Sequence, residues 1–137
     1  MATPEVIIER DALPADLVAE RQVAVAYSVL QREDAGDQVP RIEFVARYSD
    51  GPGLGRHVMI SRIDADDGPA TLAGMTGSDL WSPWPSVHPG SAAAATEGFW
   101  QVAWSEAGVV VWVTSHGLEE AELRHLVDRI RVRPDRT

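Results

Sequence analysis

The chain has no cysteine, no lysine and no asparagine. Without cysteine there is no disulfide, zinc ribbon, iron–sulfur ligation or thiol nucleophile. Without lysine there is no Schiff base and no Walker-type phosphate lysine. All 12 basic residues are arginine. Without asparagine there is no N-glycosylation acceptor. Lysine and asparagine have AT-rich codons, whereas Ala, Gly, Arg and Pro have GC-rich ones. The absences therefore read as the coding bias of a GC-rich bacterial genome, not as a design feature.

Long hydrophobic runs are missing too. The longest are residues 23–27 and 109–113, far short of the ~20 residues a membrane helix needs, so direct membrane insertion is not expected. Residues 1–5 carry no basic n-region and no apolar h-region, and no signal peptide is read there. The compartment stays open: cytoplasmic if Met1 is the natural start, extracytoplasmic if the chain is an excised ectodomain. Positive charge is scarce. Twelve Arg against 21 acids leave a net charge of −9, a field that repels phosphate backbones and anionic lipid headgroups. Nucleic acid is not expected as a partner.

What is present is 137 residues with 45% apolar and 24% charged content. That is the size and composition of one folded domain, residues 1–137. Residues 6–8 are a short apolar run suited to an edge strand. Pro14 within residues 11–17 suits the first turn of a short helical segment. From residue 22 the period becomes two: Val23, Val25, Tyr27 and Val29 share one face. Residues 33–37 are a polar turn. Residues 41–48 alternate again, with Ile42, Phe44, Ala46 and Tyr48 on one side. A glycine-rich loop follows, then a strand over 57–63. Short loops between alternating strands imply antiparallel pairing, since parallel pairs need a long crossover. Residues 71–75 read as a short strand and residues 74–98 as a long irregular loop carrying a helical turn.

The C-terminal third has the plainest pattern. Residues 99–105 place Trp100, Val102 and Trp104 on one face, and residues 109–115 alternate after the turn at Ala107-Gly108. This is a β-hairpin. Trp112 is taken as a cross-strand neighbour of Trp100 and Trp104. Residues 118–132 read as an amphipathic helix, with Leu123, Leu126, Val127 and Ile130 at i, i+3, i+4 and i+7. Acids in its first turn and arginines at its end complement the helix dipole. The expected fold is α+β: a curved antiparallel sheet of about five to seven strands with a C-terminal helix packed on it.

Trp104, the hairpin glycine Gly108, Ser115, Gly117-Leu118, Glu122-Leu123 and Leu126 follow one another in a recognisable order. Over residues 98–132 this pattern resembles the DUF4367-like extracytoplasmic domains of Gram-positive bacteria. The wider group is similar to half-barrels of the LolA and RseB type. The resemblance covers about the last quarter of the chain. It implies a sensing, regulatory or apolar-ligand role and supplies no catalytic residues. Leu118 stands where a polar cap is usual before such a helix.

Motifs for other chemistry fail on spacing. Asp64, Asp66, Asp67 and Gly68 lack the calcium-loop register, and position 12 of such a loop is Met75 instead of Glu. An acidic hairpin turn is expected there. Gly51, Gly53 and Gly55 miss the third glycine of a dinucleotide loop, because Arg56 takes its place. No Gly-x-Ser-x-Gly elbow exists. His57, His88, His116 and His125 have no metal-ligand spacing. The one arrangement left open is His116 meeting His125 beside Glu119 or Glu122. Catalytic residues, metal ligands and cofactors are therefore all read as none.

The five tryptophans carry more information. Trp100, Trp104 and Trp112 suit either a core or an apolar groove. Trp81 and Trp84, bracketed by prolines, suit packing onto the sheet, a lid, or a contact patch. The expected function is a non-enzymatic binding or regulatory domain that senses or carries an apolar ligand on the concave sheet face. Its expected ligand-binding residues are Trp81, Trp84, Trp100, Trp104, Trp112, Tyr27, Phe44 and Tyr48. The alternative is a homo-oligomeric interaction subunit, a homodimer for example, using a sheet edge or the Trp81–Trp84 loop. A third reading is a small hydrolase or isomerase using His and Asp/Glu in the concavity. The expected partner is thus an apolar small molecule or another protein.

Overall fold

The structure is a computed structural model, and it describes residues 4–9, 11–19, 26–27, 41–49, 56–64 and 67–134. Its strands are β1 (Glu5–Ile8), β2 (Val18–Ala19), β3 (Ala26–Tyr27), β4 (Arg41–Ser49), β5 (His57–Asp64), β6 (Ser82–Pro83), β7 (Ala92–Thr96), β8 (Phe99–Glu106), β9 (Val109–His116) and β10 (Ile130–Arg133). The helices are α1 (Gly68–Met75) and α2 (Glu120–Asp128). Among the described residues the main sheet has eight strands in the order β2-β4-β5-β9-β8-β7-β6, with β3 also on β4. All its pairs are antiparallel. A second, two-stranded sheet pairs β1 with β10. The fold is α+β with a curved antiparallel sheet and a C-terminal helix. A register shift between Phe44 and Ala46 bends β4.

Two turns set the register of the C-terminal strands. Glu97 and Gly98 join β7 to β8, and Ala107 and Gly108 join β8 to β9; all four residues have positive φ. A two-residue turn with both residues left-handed is the hairpin geometry whose twist matches that of the strands. It pairs Glu106 with Val109 and therefore Ala103 with Trp112. Trp112 thus projects from the opposite face to Trp100 and Trp104, and is not their cross-strand neighbour as the alternation had suggested.

One face of the sheet carries Val58, Ile60, Val102, Trp104, Val109, Val111 and Val113, all buried. α2 covers it with Leu123, Leu126 and Val127, and the β1–β10 ribbon adds Val6, Ile130 and Val132. The other face holds a smaller cluster of Ile63, Ala103 and Val110, capped by Leu72, Met75, Trp81 and Trp112.

The structure corrects five expectations. Residues 71–75 are helical, because Asp67 caps α1 by accepting the Ala70 N–H at 3.0 Å and Pro69 suits the first turn. β5 ends at Asp64 and Asp67 caps α1, so β5 leads into a helix and not into the strand that the expected hairpin turn requires. The C-terminal helix ends at Asp128 instead of running to residue 132. Ile130 and Val132 alternate with outward Arg131 and Arg133, so the tail pairs as a strand with β1. Residues 74–98 contain β6 and β7, where pairing with β8 overrides the helix preference of the alanine run. Residues 11–17 form turns, one closed by Leu17 N–H to the Pro14 carbonyl at 3.1 Å, and no helix.

Leu118 has its own reason. It precedes the N-cap Glu119, whose N–H donates to Glu122 Oε1 at 3.0 Å. Leu118 and Leu123 are buried in one cluster, as in a hydrophobic staple. The rest of the expected strand at 22–29, the turn at 33–37 and the glycine loop at 51–55 lie outside the described residues.

Candidate functional site

The expected ligand-binding residues divide between the two faces. Trp104 is fully buried under α2. Trp84 is buried beside it, edge-on to half-buried Trp100 with ring centroids 5.4 Å apart. The Arg124 guanidinium lies 5.4 Å above the Trp84 ring. Tyr48 packs against the same core, and burial pushes its phenol pKa upward. Trp81 and Trp112 belong to the opposite cluster, where Trp112 Nε1 donates to Gln101 Oε1 at 3.1 Å. The Trp81–Trp84 loop therefore straddles the sheet edge, with one ring on each face and β6 between them. Tyr27 and Phe44 occupy strand positions opposite Ile42 and Ser61; their side chains lie outside the description.

The histidines do not converge on a metal. His116 stacks on His57, its register partner on β5, with centroids 5.5 Å apart. His125 bonds the Asp11 carbonyl through Nε2 at 2.8 Å. Among the described residues, no group of three His, Cys, Asp or Glu side chains could hold a metal ion.

A cleft of about 330 Å³ lies between the N-terminal turn and α2. Ala12, Leu13 and Pro14 form one wall, and Ala121, Glu122 and His125 the other. It is open to solvent and its lining is mostly apolar, with Glu122 and His125 as the charged or titratable side chains; its volume is at the lower end of the range of small-molecule sites. Arg56 fixes one end. Its Nη1 donates to Glu122 Oε1 at 3.1 Å and its Nη2 to Oε2 at 2.6 Å, while Nε lies 3.0 Å from Asp16 Oδ2. The fork holds the Glu122 carboxyl below the ordinary glutamate range, aided by the Glu119 N–H. His125 fixes the other end through its bond to Asp11.

Sequence reasoning did not find this cleft. Its walls are more than 100 residues apart in the chain, and Pro14 was legible only as a turn former. A second cluster also escaped it. His88, 6% exposed, stacks flat on Trp104 with centroids 4.1 Å apart and 5° between the rings. Its Nε2 is 2.7 Å from the Val127 carbonyl and its Nδ1 is 3.2 Å from Glu106 Oε1. Nothing near His88 in the sequence signals these partners.

Among the described residues no helix is long and apolar enough to cross a membrane. No family model, curated protein or solved structure matches this chain.

Proposed function

We propose that the chain is a non-enzymatic binding domain that senses or carries a small apolar ligand. The cleft between residues 12–14 and α2 is its site. The observation that carries this reading is the cleft itself: a mostly apolar lining that includes the side chains of Glu122 and His125. Trp84 and Trp104 are buried, which favours the cleft over the concave sheet face as the site of this reading. The resemblance of residues 98–132 to extracytoplasmic half-barrel modules supports a sensing or carrying role.

The test uses native mass spectrometry on protein purified without denaturant, then a titration with N-phenyl-1-naphthylamine. Ala121 is exposed on a wall of the cleft, so Ala121→Trp fills the site without touching the core. Saturable dye binding that Ala121→Trp abolishes is expected. Equal binding by both proteins, or none by either, would remove the proposal.

A second reading is supported by one observation. Leu80 is 74% exposed and Val87 is 65% exposed, and both flank β6 in the Trp81–Trp84 loop region. Exposed large side chains on a pinned, proline-stiffened segment suit a contact between copies. The sheet edge itself is blunted, since β6 has two residues and one is Pro83. Sedimentation equilibrium of wild type and the Leu80→Ser/Val87→Ser variant decides this. A dimer that the variant dissociates supports the contact, and a monomer at every concentration rejects it.

A further inference from the structure

His88 has acceptors on both sides. Nε2 faces the Val127 carbonyl at 2.7 Å, and Nδ1 faces Glu106 Oε1 at 3.2 Å. A carbonyl and a carboxylate only accept, so each contact needs an N–H on the ring, and a neutral imidazole has one. Glu106 accepts from two other donors. Oε1 also accepts Trp104 Nε1 at 3.2 Å, and Oε2 accepts the Val132 N–H at 3.2 Å. Val127 lies in the last turn of α2, where the helix dipole favours a cation. Beneath the ring is the π face of Trp104, which favours one as well.

The segment that carries His88 is a unit. The Trp84 N–H donates to the Ser91 carbonyl at 2.8 Å, and Ser91 Oγ donates back to the Trp84 carbonyl at 2.8 Å. Ser86 Oγ accepts the His88 N–H at 3.0 Å. Outside the unit, its hydrogen bonds are those of His88 and one from the Val87 N–H to Asp128 Oδ1 at 3.1 Å. Trp84 Nε1 is buried with no hydrogen-bond partner, a cost that opening to water would relieve.

We infer that His88, Glu106 and the end of α2 form a proton-operated latch on residues 84–91. With two ring protons the imidazolium bridges Val127 and Glu106 and closes the segment over Trp104. Loss of one proton leaves one acceptor without its hydrogen, and the segment opens. Opening uncovers the Trp104 ring. The charged groups around the ring are Glu106 from β8, and Asp128 and Arg124 from α2. Arg131 and Arg133 of β10 point outward and pair with Glu9 and Glu5. The closed state needs the second ring proton, so lower pH favours it and higher pH disfavours it. An imidazole changes charge between about pH 5 and 8.

The test is ¹⁵N NMR of the His88 ring with hydrogen exchange at the Trp84, Val87, His88 and Ser91 amides. After correction for intrinsic exchange, protection is expected to fall as pH rises, by at most about tenfold per pH unit, the limit for one linked proton. The Val111 amide in β9 serves as the unchanging control. Glu106→Gln is the decisive variant: its amide can donate to an unprotonated Nδ1, at the cost of the Trp104 Nε1–H bond, so protection of the segment is expected to lose its pH dependence. His88→Gln is expected to show flat protection. If it does not fold, the wild-type titration and Glu106→Gln still decide. A singly protonated His88 at all these pH values, with pH-independent protection of residues 84–91, would overturn the latch. Dye binding in the cleft is read separately, so either idea can fail alone.

Discussion

The two faces of the sheet are covered in different ways. On one face α2 buries three large side chains, Leu123, Leu126 and Val127, against a continuous layer that includes fully buried Trp104. On the other face α1 buries a single residue, Gly68. A Cβ on Gly68 would stand 3.3 Å from Ser105 Cβ, so α1 approaches the sheet through its backbone there. The side chains it offers, Leu72 and Met75, are only partly buried beside Trp81 and Trp112. β9 has apolar residues on both sides, yet one side became a deep core and the other a thin one. The strand pattern permits two apolar faces, and the amphipathicity of the covering helix decides which is thick.

The largest test of this difference is a pair of tryptophan substitutions. Trp104→Ala removes a fully buried ring and should cost about 3–5 kcal/mol. Trp112→Ala removes a half-buried ring from the thin side and should cost about 1–2 kcal/mol, in proportion to the smaller area returned to water. Urea unfolding midpoints at matched m-values give both numbers. Equal losses would mean the two faces carry equal weight.

A smaller effect separates the helices themselves. Asp67→Ala removes the cap of α1 and should cost about 1 kcal/mol. The loss should appear as faster hydrogen exchange in residues 70–75, with α2 unchanged. If α2 amides were exposed equally, the two helices would open as one unit and the comparison would fail.

Legibility in the sequence follows how local each cause is. The β8–β9 hairpin could be read because its turn, Ala107-Gly108, is written in consecutive residues. The same turn also determined the face of Trp112, since pairing 106 with 109 pairs 103 with 112; that consequence was legible and was misread. α1 was hidden because its signal is a cap and a proline, Asp67 and Pro69, and not an apolar stripe. β10 was hidden because Ile130 satisfies the helical period as well as the strand period, and only its pairing with β1 decides between them. The candidate sites were hardest. The cleft joins Leu13 to Ala121, and the latch joins His88 to Glu106 and Val127, contacts that only the folded chain creates. Trp81 and Trp84 were recognised as a special loop, but their division between opposite faces depends on β6 pairing with β7.

The smallest predicted effect concerns the edge of the cleft, where α2 meets Arg56. Glu122 accepts both arms of the guanidinium and the Glu119 N–H, and the Arg56 hydrogen bonds are the main cause of its lowered pKa. A carboxyl with a folded pKa below its unfolded value stabilises the fold above the unfolded value. That contribution is lost as pH falls through the ordinary glutamate range toward the folded pKa. Glu122→Gln should therefore cost less than about 1 kcal/mol at neutral pH, because the pair is partly exposed and screened. It should also flatten part of the acid-side decline in stability. Adding Arg56→Gln to Glu122→Gln should then cost little more, if the two residues act mainly through each other. Stability measured from pH 7 to pH 3 for wild type, both single variants and the double variant provides the cycle. Identical pH slopes in wild type and Glu122→Gln would show that the fork does not tie α2 to the start of β5.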